Sequence, residues 1–224
     1  MSPTLDLEKE FFSTGIKLLA GVDEVGRGCI AGPVSIGIAV ISNQVANFPL
    51  GLNDSKLLSP RKRESLIPKI QNWVVDFAVG HSSNKEIDKH GLPNALKLAA
   101  ARAFLNLDRL PEVIILDGKH NWLKTDPNQL FLDRDIAIEL GNFESVVEKI
   151  KIVTKTKADL TCAAVSAASV LAKVERDGIL TELADKNPEY EWQSNKGYAS
   201  ASHLEAIKKY GPSEYHRISW KPFI

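Results

Sequence analysis

Between Ile16 and Val40 the chain sets two adjacent carboxylates, Asp23 and Glu24, into an otherwise apolar stretch that contains "GVDEVGRGCIAGPVSIGIAV". Burying charge without a partner is costly, so a fold that accepts this segment must give the two acids a purpose. Ile16 to Val22 reads as a strand. From Pro33 a second strand follows, in which Val34, Ile36, Ile38 and Val40 alternate with small Ser35, Gly37 and Ala39. The turn between them holds the acids, followed by Gly26, Arg27 and Gly28.

Downstream, Ser59-Pro60 opens a helix through Gln71 with proline at its first position, and Trp73 to Gly80 returns as a strand. Leu92 to Leu107 is a helix, and "VIILD", Val113 to Asp117, has the β-branched composition of a buried strand. From Gly118 to about Ser145 the chain is polar and irregular, with a helical turn around Leu130 to Leu140, and reads as an insertion over the surface. Lys149, Lys151, Lys155 and Lys157 then share one parity of a strand, while Ile150 and Ile152 share the other. Four lysines on one face suit either a protected edge strand or a stripe beside a phosphate backbone.

Leu160 to about Asp185 is the strongest helix, with Leu160, Ala164, Ala167, Leu171 and Val174 on one face and Ser166, Ser169, Lys173 and Arg176 on another. Ser200 to Tyr210 forms a last helix. Strands separated by helices predict an α/β fold with helices on the faces of one sheet. A single domain over residues 1–224 is expected, with its core at about 16–185, an enlarged surface loop at 120–145 and a C-terminal helical extension at 186–224.

Composition narrows the partners. Lys+Arg and Asp+Glu balance at 28 each, so a nucleic acid must be met by a local patch rather than by the field of the whole molecule. The two cysteines, Cys29 and Cys162, lack metal-ligand spacing, and no signal-like segment precedes the first strand, which together point to a reducing, cytoplasmic setting. The apolar run from Ile30 to Ile41 is too short and too interrupted for the roughly 20 residues that cross a bilayer, so no membrane partner is expected. A monomer is the default.

Gly26 to Ala31 matches the G-x-G-x-x-A spacing of a dinucleotide site, yet it runs into Gly32-Pro33 and a strand instead of opening a helix, and no acid between Val25 and Asn53 is available to hold a ribose. A divalent cation is the productive use of the acids, because hard ions take carboxylate oxygens together with substrate phosphates. Asp117 ends the "VIILD" strand and Asp159 stands where the lysine strand meets the long helix, so both could reach the same crevice. Taken singly, Asp159 reads more readily as an N-cap and Asp117 as a turn residue; it is the four acids together that point to a shared site.

With these residues set out, the sequence resembles the type 2 ribonucleases H, specifically the bacterial ribonuclease HII family. The resemblance spans about Leu19 to Phe223. It rests on "GVDEVGRGCIAGPV", "NDSKLLSPRKRE" (Asn53 to Glu64), "LDG" (Leu116 to Gly118), "KADLTCAAVSAASVLAKVERD" (Lys157 to Asp177) and "NKGYASASHLEAIKKYGPSEYHRISW" (Asn195 to Trp220). It implies a ribonuclease H-like fold with a central mixed sheet. It also implies cleavage of RNA in RNA·DNA hybrids and nicking 5′ of single ribonucleotides in duplex DNA, with 5′-phosphate and 3′-hydroxyl products.

By the motif match, Asp23, Glu24, Asp117 and Asp159 would hold Mg²⁺ or Mn²⁺ in a two-metal hydrolysis. Gly26, Arg27, Gly28 and Tyr198 would sense the ribose, whose 2′-OH distinguishes RNA from DNA. Lys56, Arg61, Lys173 and Arg176 are candidate phosphate contacts, and the role of His203 stays open. One departure stands out: Asp117 to Asp159 is 159 − 117 = 42 positions, longer than the compact spacing common in the family. Asp126, Asp133 and Asp135 fall in that insertion, but the block around Asp159 is intact and favours Asp159. The alternatives are a hybrid-binding protein without catalysis, against which all four acids are present, and a ribonuclease HIII-like enzyme, whose extra N-terminal domain has no room before Asp23.

Overall fold

A computed structural model of the chain describes residues 2–124, 136, 138 and 140–223. Helix α1 (Asp6–Ser13) leads into strand β1 (Leu18–Val25) and strand β2 (Val34–Ser42). After α2 (Pro60–Trp73) come β3 (Asp76–Ser82), α3 (Asn84–His90), α4 (Leu92–Leu105) and β4 (Val113–Asp117). Helix α5 (Phe143–Glu148), strand β5 (Lys151–Lys155), the short α6 (Ala158–Thr161) and the 24-residue α7 (Ala163–Lys186) follow, then α8 (Trp192–Asn195) and α9 (Ala201–Tyr210). The strands form one mixed sheet in the order β3-β2-β1-β4-β5, antiparallel on the β3 side and parallel where β1 meets β4 and β4 meets β5. No helix among the described residues is long and apolar enough to cross a membrane.

The two sheet faces carry separate apolar layers, as the two-residue period of a strand requires. Ala20, Val22, Ile36 and Ile38 pack against α4 on one side, while Leu19, Ile41 and Ile115 pack against α1, α2 and α7 on the other. Helix α7 lies directly on β1 and β2 because glycine is what it meets there: a Cβ on Gly21 would overlap the Ala164 backbone, and one on Gly37 would overlap the Ala168 carbonyl. The alanine-rich face of α7 completes the close approach, with Ala163, Ala164, Ala167 and Ala168 fully buried.

Several expectations need correction. Strand β1 runs on to Val25, so Asp23 and Glu24 are paired residues opposite Gly37 and Ile36 and do not lie in the turn. The long helix breaks at Cys162, which is extended (φ −115°, ψ 123°), and this places Asp159 on the separate α6. The insertion is not wholly superficial, since Leu123, Ile136, Leu140 and Phe143 join the core beneath α4. Asp126, Asp133 and Asp135 lie outside the described residues. Strand β5 is an edge strand that contains only Lys151 and Lys155 of the four lysines; Lys149 ends α5, and Lys157 precedes α6 in a left-handed conformation. Helices α1 and α3 were not anticipated.

Gly21→Val should lift α7 from the sheet and cost at least about 1–3 kcal/mol, the range for overpacking. Urea unfolding checks this, and a loss within experimental error would contradict the contact.

Candidate active site

The carboxylates meet through strand register. Parallel pairing sets Val22 opposite Leu116, so the next residues along, Asp23 within β1 and Asp117 at the end of β4, come side by side. Asp117 Oδ1 accepts the Ala158 amide at 2.7 Å, which fastens the start of α6 to the end of β4 and brings in Asp159. Glu24 projects from the opposite face of β1 to Asp23 and pairs with the half-exposed Arg27 at 3.2 Å. Asp23, Glu24 and Asp117 line a cleft of about 1130 Å³, and Asp159 reaches its Lys56 wall through an ion pair of 3.0 Å.

Burial governs the electrostatics. Asp23 is 3% exposed, and desolvation, with the charges of Glu24 and Asp117, pushes its pKa up to about 8 against a hydrogen bond from Ser169. Desolvation also raises Glu24, despite Arg27, and raises Asp117, which further feels Asp159. Burial opposes the Lys56 charge, but the hydrogen bond and charge of Asp159 outweigh it and hold the ammonium protonated. Glu24 Oε2 is buried without a hydrogen-bond partner. Among the described residues no three acidic, histidine or cysteine side chains already converge as metal ligands. An oxygen-rich group with a buried unpartnered oxygen and raised pKa values suits a hard divalent ion.

The next wall of the cleft is Gly26 to Gly28. Gly26 has φ 87°, and a Cβ there would strike the Arg176 guanidinium, so its glycine is required by the fold. Gly28 has an ordinary φ and nothing within 4 Å of a Cβ, so the fold leaves open space above it. Two fully buried arginines support this loop. Arg176 donates to the carbonyls of Ala31, Pro33 and Lys196, and Arg217 to those of Gly26, Arg27, Gly32 and Pro33, at 2.7–3.2 Å. Tyr198, 43% exposed, stands beside the loop. The Gly197 carbonyl accepts the amides of Ile30 and Ala31, and the phenol meets the Cys29 thiol.

Comparison with known proteins accords with this geometry. The family model described as Ribonuclease HII matches residues 20–223. A "Ribonuclease HII" of Streptomyces avermitilis is 40% identical over 97% of this chain and 83% of its own length. The chain belongs to the ribonuclease HII family. The crystal structure of the ribonuclease H2 from Pyrococcus horikoshii OT3 superposes with a TM-score of 0.67 at 30% identity, over 92% of this chain and 95% of that one. A structure of Bst-RNase HIII in complex with Mn²⁺ shares the fold with a TM-score of 0.65 at 22% identity, over 92% of this chain and 68% of that one. The fold and these relatives make the protein a ribonuclease H endonuclease.

Lys173 lines the cleft, ion-paired to Asp177 at 2.8 Å, with its ammonium 5.9 Å from the Tyr198 ring centre. Arg176 does not meet substrate directly: it is fully buried and its donors are taken by carbonyls, so its task is to shape the loop. Arg61 points outward, and it is Arg63 of α2 that lines the cleft. His203 is buried: Nδ1 donates to the Tyr198 carbonyl, and Nε2 accepts the Trp192 indole N–H at 3.0 Å, so it secures the tyrosine segment. Sequence reasoning missed Arg217, Ser169 as the partner of Asp23, and Lys196. Arginine in an irregular tail gives no signal that it is buried.

Asp23 is an acid whose pKa is raised on folding, so it costs stability progressively as pH rises from about 4 in the unfolded chain to about 8 in the folded one. In chelator-treated protein, Asp23→Asn should therefore gain in melting temperature relative to the native chain between pH 4 and 8 and then level off. A constant difference across that range would contradict the buried, unpaired charge.

Proposed function

We infer that this cleft hydrolyses the RNA strand of RNA·DNA hybrids and nicks duplex DNA on the 5′ side of single embedded ribonucleotides. The observation that supports this reading is that Asp23, Glu24 and Asp117 share one cleft with the Gly26–Gly28 and Tyr198 wall, Asp159 being tied to the cleft's Lys56. Asp23, Glu24, Asp117 and Asp159 would hold Mg²⁺ or Mn²⁺, in keeping with the buried unpartnered oxygen of Glu24 and the raised pKa of Asp23. Bound there, such ions supply an activated water and neutralise charge on the scissile phosphate and the departing 3′ oxygen, which leaves 5′-phosphate and 3′-hydroxyl ends.

The remaining work belongs to the chain. The open space over Gly28 lets backbone approach a sugar closely, and the exposed Tyr198 ring gives that sugar a flat surface to rest on. Arg27, tethered to Glu24, presents its guanidinium beside the same sugar, where a 2′-OH could accept from it. Lys56 reaches into the cleft next to Asp159, placed to meet a phosphate oxygen. With all four acids in place, nothing favours a reading in which the protein binds hybrids without cutting them.

The test is a duplex with one ribonucleotide, run beside an all-RNA hybrid, with Mg²⁺ or Mn²⁺. Cleavage 5′ of the ribonucleotide is expected, and Tyr198→Ala should lower kcat/KM about tenfold or more for the single-ribonucleotide substrate and less for the hybrid, a tenfold loss being about 1.4 kcal/mol. No nicking with either metal, or an equal loss on both substrates, would contradict the assignment.

A further inference from the structure

Beyond the acids, the cleft continues along α7 to a second charged group. Asp177, 8% exposed, is the shared counter-ion of Lys173 at 2.8 Å, Arg63 at 3.6 Å and Arg176 at 4.0 Å. Lys196 adds a fourth cation. Its ammonium donates to the Thr181 hydroxyl at 2.9 Å and has no carboxylate partner among the described residues. Arg63 is also committed to the carbonyls of Ser55 and Leu58, at 2.8 and 2.7 Å, so it cannot swing away. Four positive charges are thus held around one buried carboxylate, in a protein whose formal net charge is zero. Glu64 and Glu182 line the same cleft but stand at its exposed rim.

The backbone holds Lys196 there against its own preference. Lys196 has φ 49°, a left-handed conformation that a lysine seldom adopts, fixed by its amide donating to the Trp192 carbonyl and its carbonyl accepting from Arg176. Strain of this kind persists where the surroundings overdetermine it, and it concentrates at functional positions. Desolvation and the like charges of Lys173, Arg63 and Arg176 lower the pKa of Lys196 despite Asp177, so the ammonium is short of negative charge where it stands.

The distance to the chemistry is set by α7. Ser169 hydrogen-bonds Asp23, and Asp177 lies eight residues further on, about 12 Å at ~1.5 Å per residue. That is a few nucleotides of one strand at ~3.4 Å of axial rise each.

We propose that Lys196, with Lys173 and supported by Arg63 and Thr181, forms a subsite for a second backbone phosphate of the substrate duplex, a few nucleotides from the one that is cut. Tyr198 lines the same cleft as this subsite, with the Lys173 ammonium 5.9 Å from its ring. The second phosphate would therefore fix how far the duplex slides past Tyr198 before the cut is made. The subsite rests on the hybrid-cutting reading above and adds to it a contact that recognises charge and position, not sequence.

A neutral methylphosphonate, placed at one linkage at a time on either side of the cut, tests this with the full-length protein and its metal. One linkage two to four positions from the cut should lower kcat/KM about tenfold for the native protein, as loss of a charge-assisted contact does. The same change should cost Lys196→Met less than about twofold, because its partner is already gone. The dependence of hybrid affinity on salt should weaken by about 0.9 in log-log slope for one released contact. Lys196→Asn, whose side chain tolerates the left-handed backbone, keeps the loop in place and should repeat both results. If native protein cuts the unmodified duplex but no distant linkage matters, or if variant and linkage losses simply multiply, the subsite is wrong. If the unmodified duplex is not cut, the hybrid-cutting reading fails and takes the subsite with it.

Discussion

Parallel pairing of β1 with β4 brings like charges together at one end of the sheet, and much of the local structure answers to that placement. Asp23 near the end of β1 lies beside Asp117 at the end of β4, α6 is tied to Asp117 and delivers Asp159, and Glu24 stands on the other face of β1. Left alone, such a group is unstable: desolvation raises Asp23, Glu24 and Asp117 alike. Lys56 offsets part of the charge at Asp159, and Arg27 part of it at Glu24. The remainder is what a bound dication would neutralise under the proposed function.

The Gly26–Gly28 wall depends on a different device. Buried arginines usually need carboxylates, yet Arg176 and Arg217 are satisfied almost wholly by backbone carbonyls of residues 26–33 and 196. They turn a glycine-rich turn, which would otherwise be mobile, into a fixed surface. The same loop is joined to the Tyr198 segment through Gly197, and His203 holds that segment from behind. The acids and the Gly26–Gly28 and Tyr198 wall are thereby fixed to one frame, set by β1, β2 and α7.

Much of this was legible in the sequence, for identifiable reasons. Val113 to Asp117 is a strand with the expected limits, because a β-branched run with a terminal acid has few other uses. Ser59 caps α2 with Pro60 at its first position. The four acids stood out because charged residues in or beside apolar runs are exceptions to the apolar pattern. Helix α3 was missed although its Ser83–Glu86 capping box is a readable signal. The break at Cys162 has no such signal, since the apolar period continues across it, and in the fold Cys162 bridges to the distant Thr4, whose carbonyl accepts the Ala163 amide. Arg176 was misjudged for a related reason: periodicity places it on a polar face of α7, but only the fold shows that the loop covers that face. Lys196 was invisible because nothing local marks a lysine held left-handed by distant partners.

The central claim is that the strand-end acids act together as one cation site. Paramagnetic resonance of Mn²⁺ titrated into native protein and into Asp117→Asn tests it without reference to cleavage. The account predicts a protein-bound Mn²⁺ signal whose affinity falls about tenfold or more on losing one carboxylate, with the fold intact by circular dichroism. Equal Mn²⁺ binding by the two proteins would contradict it.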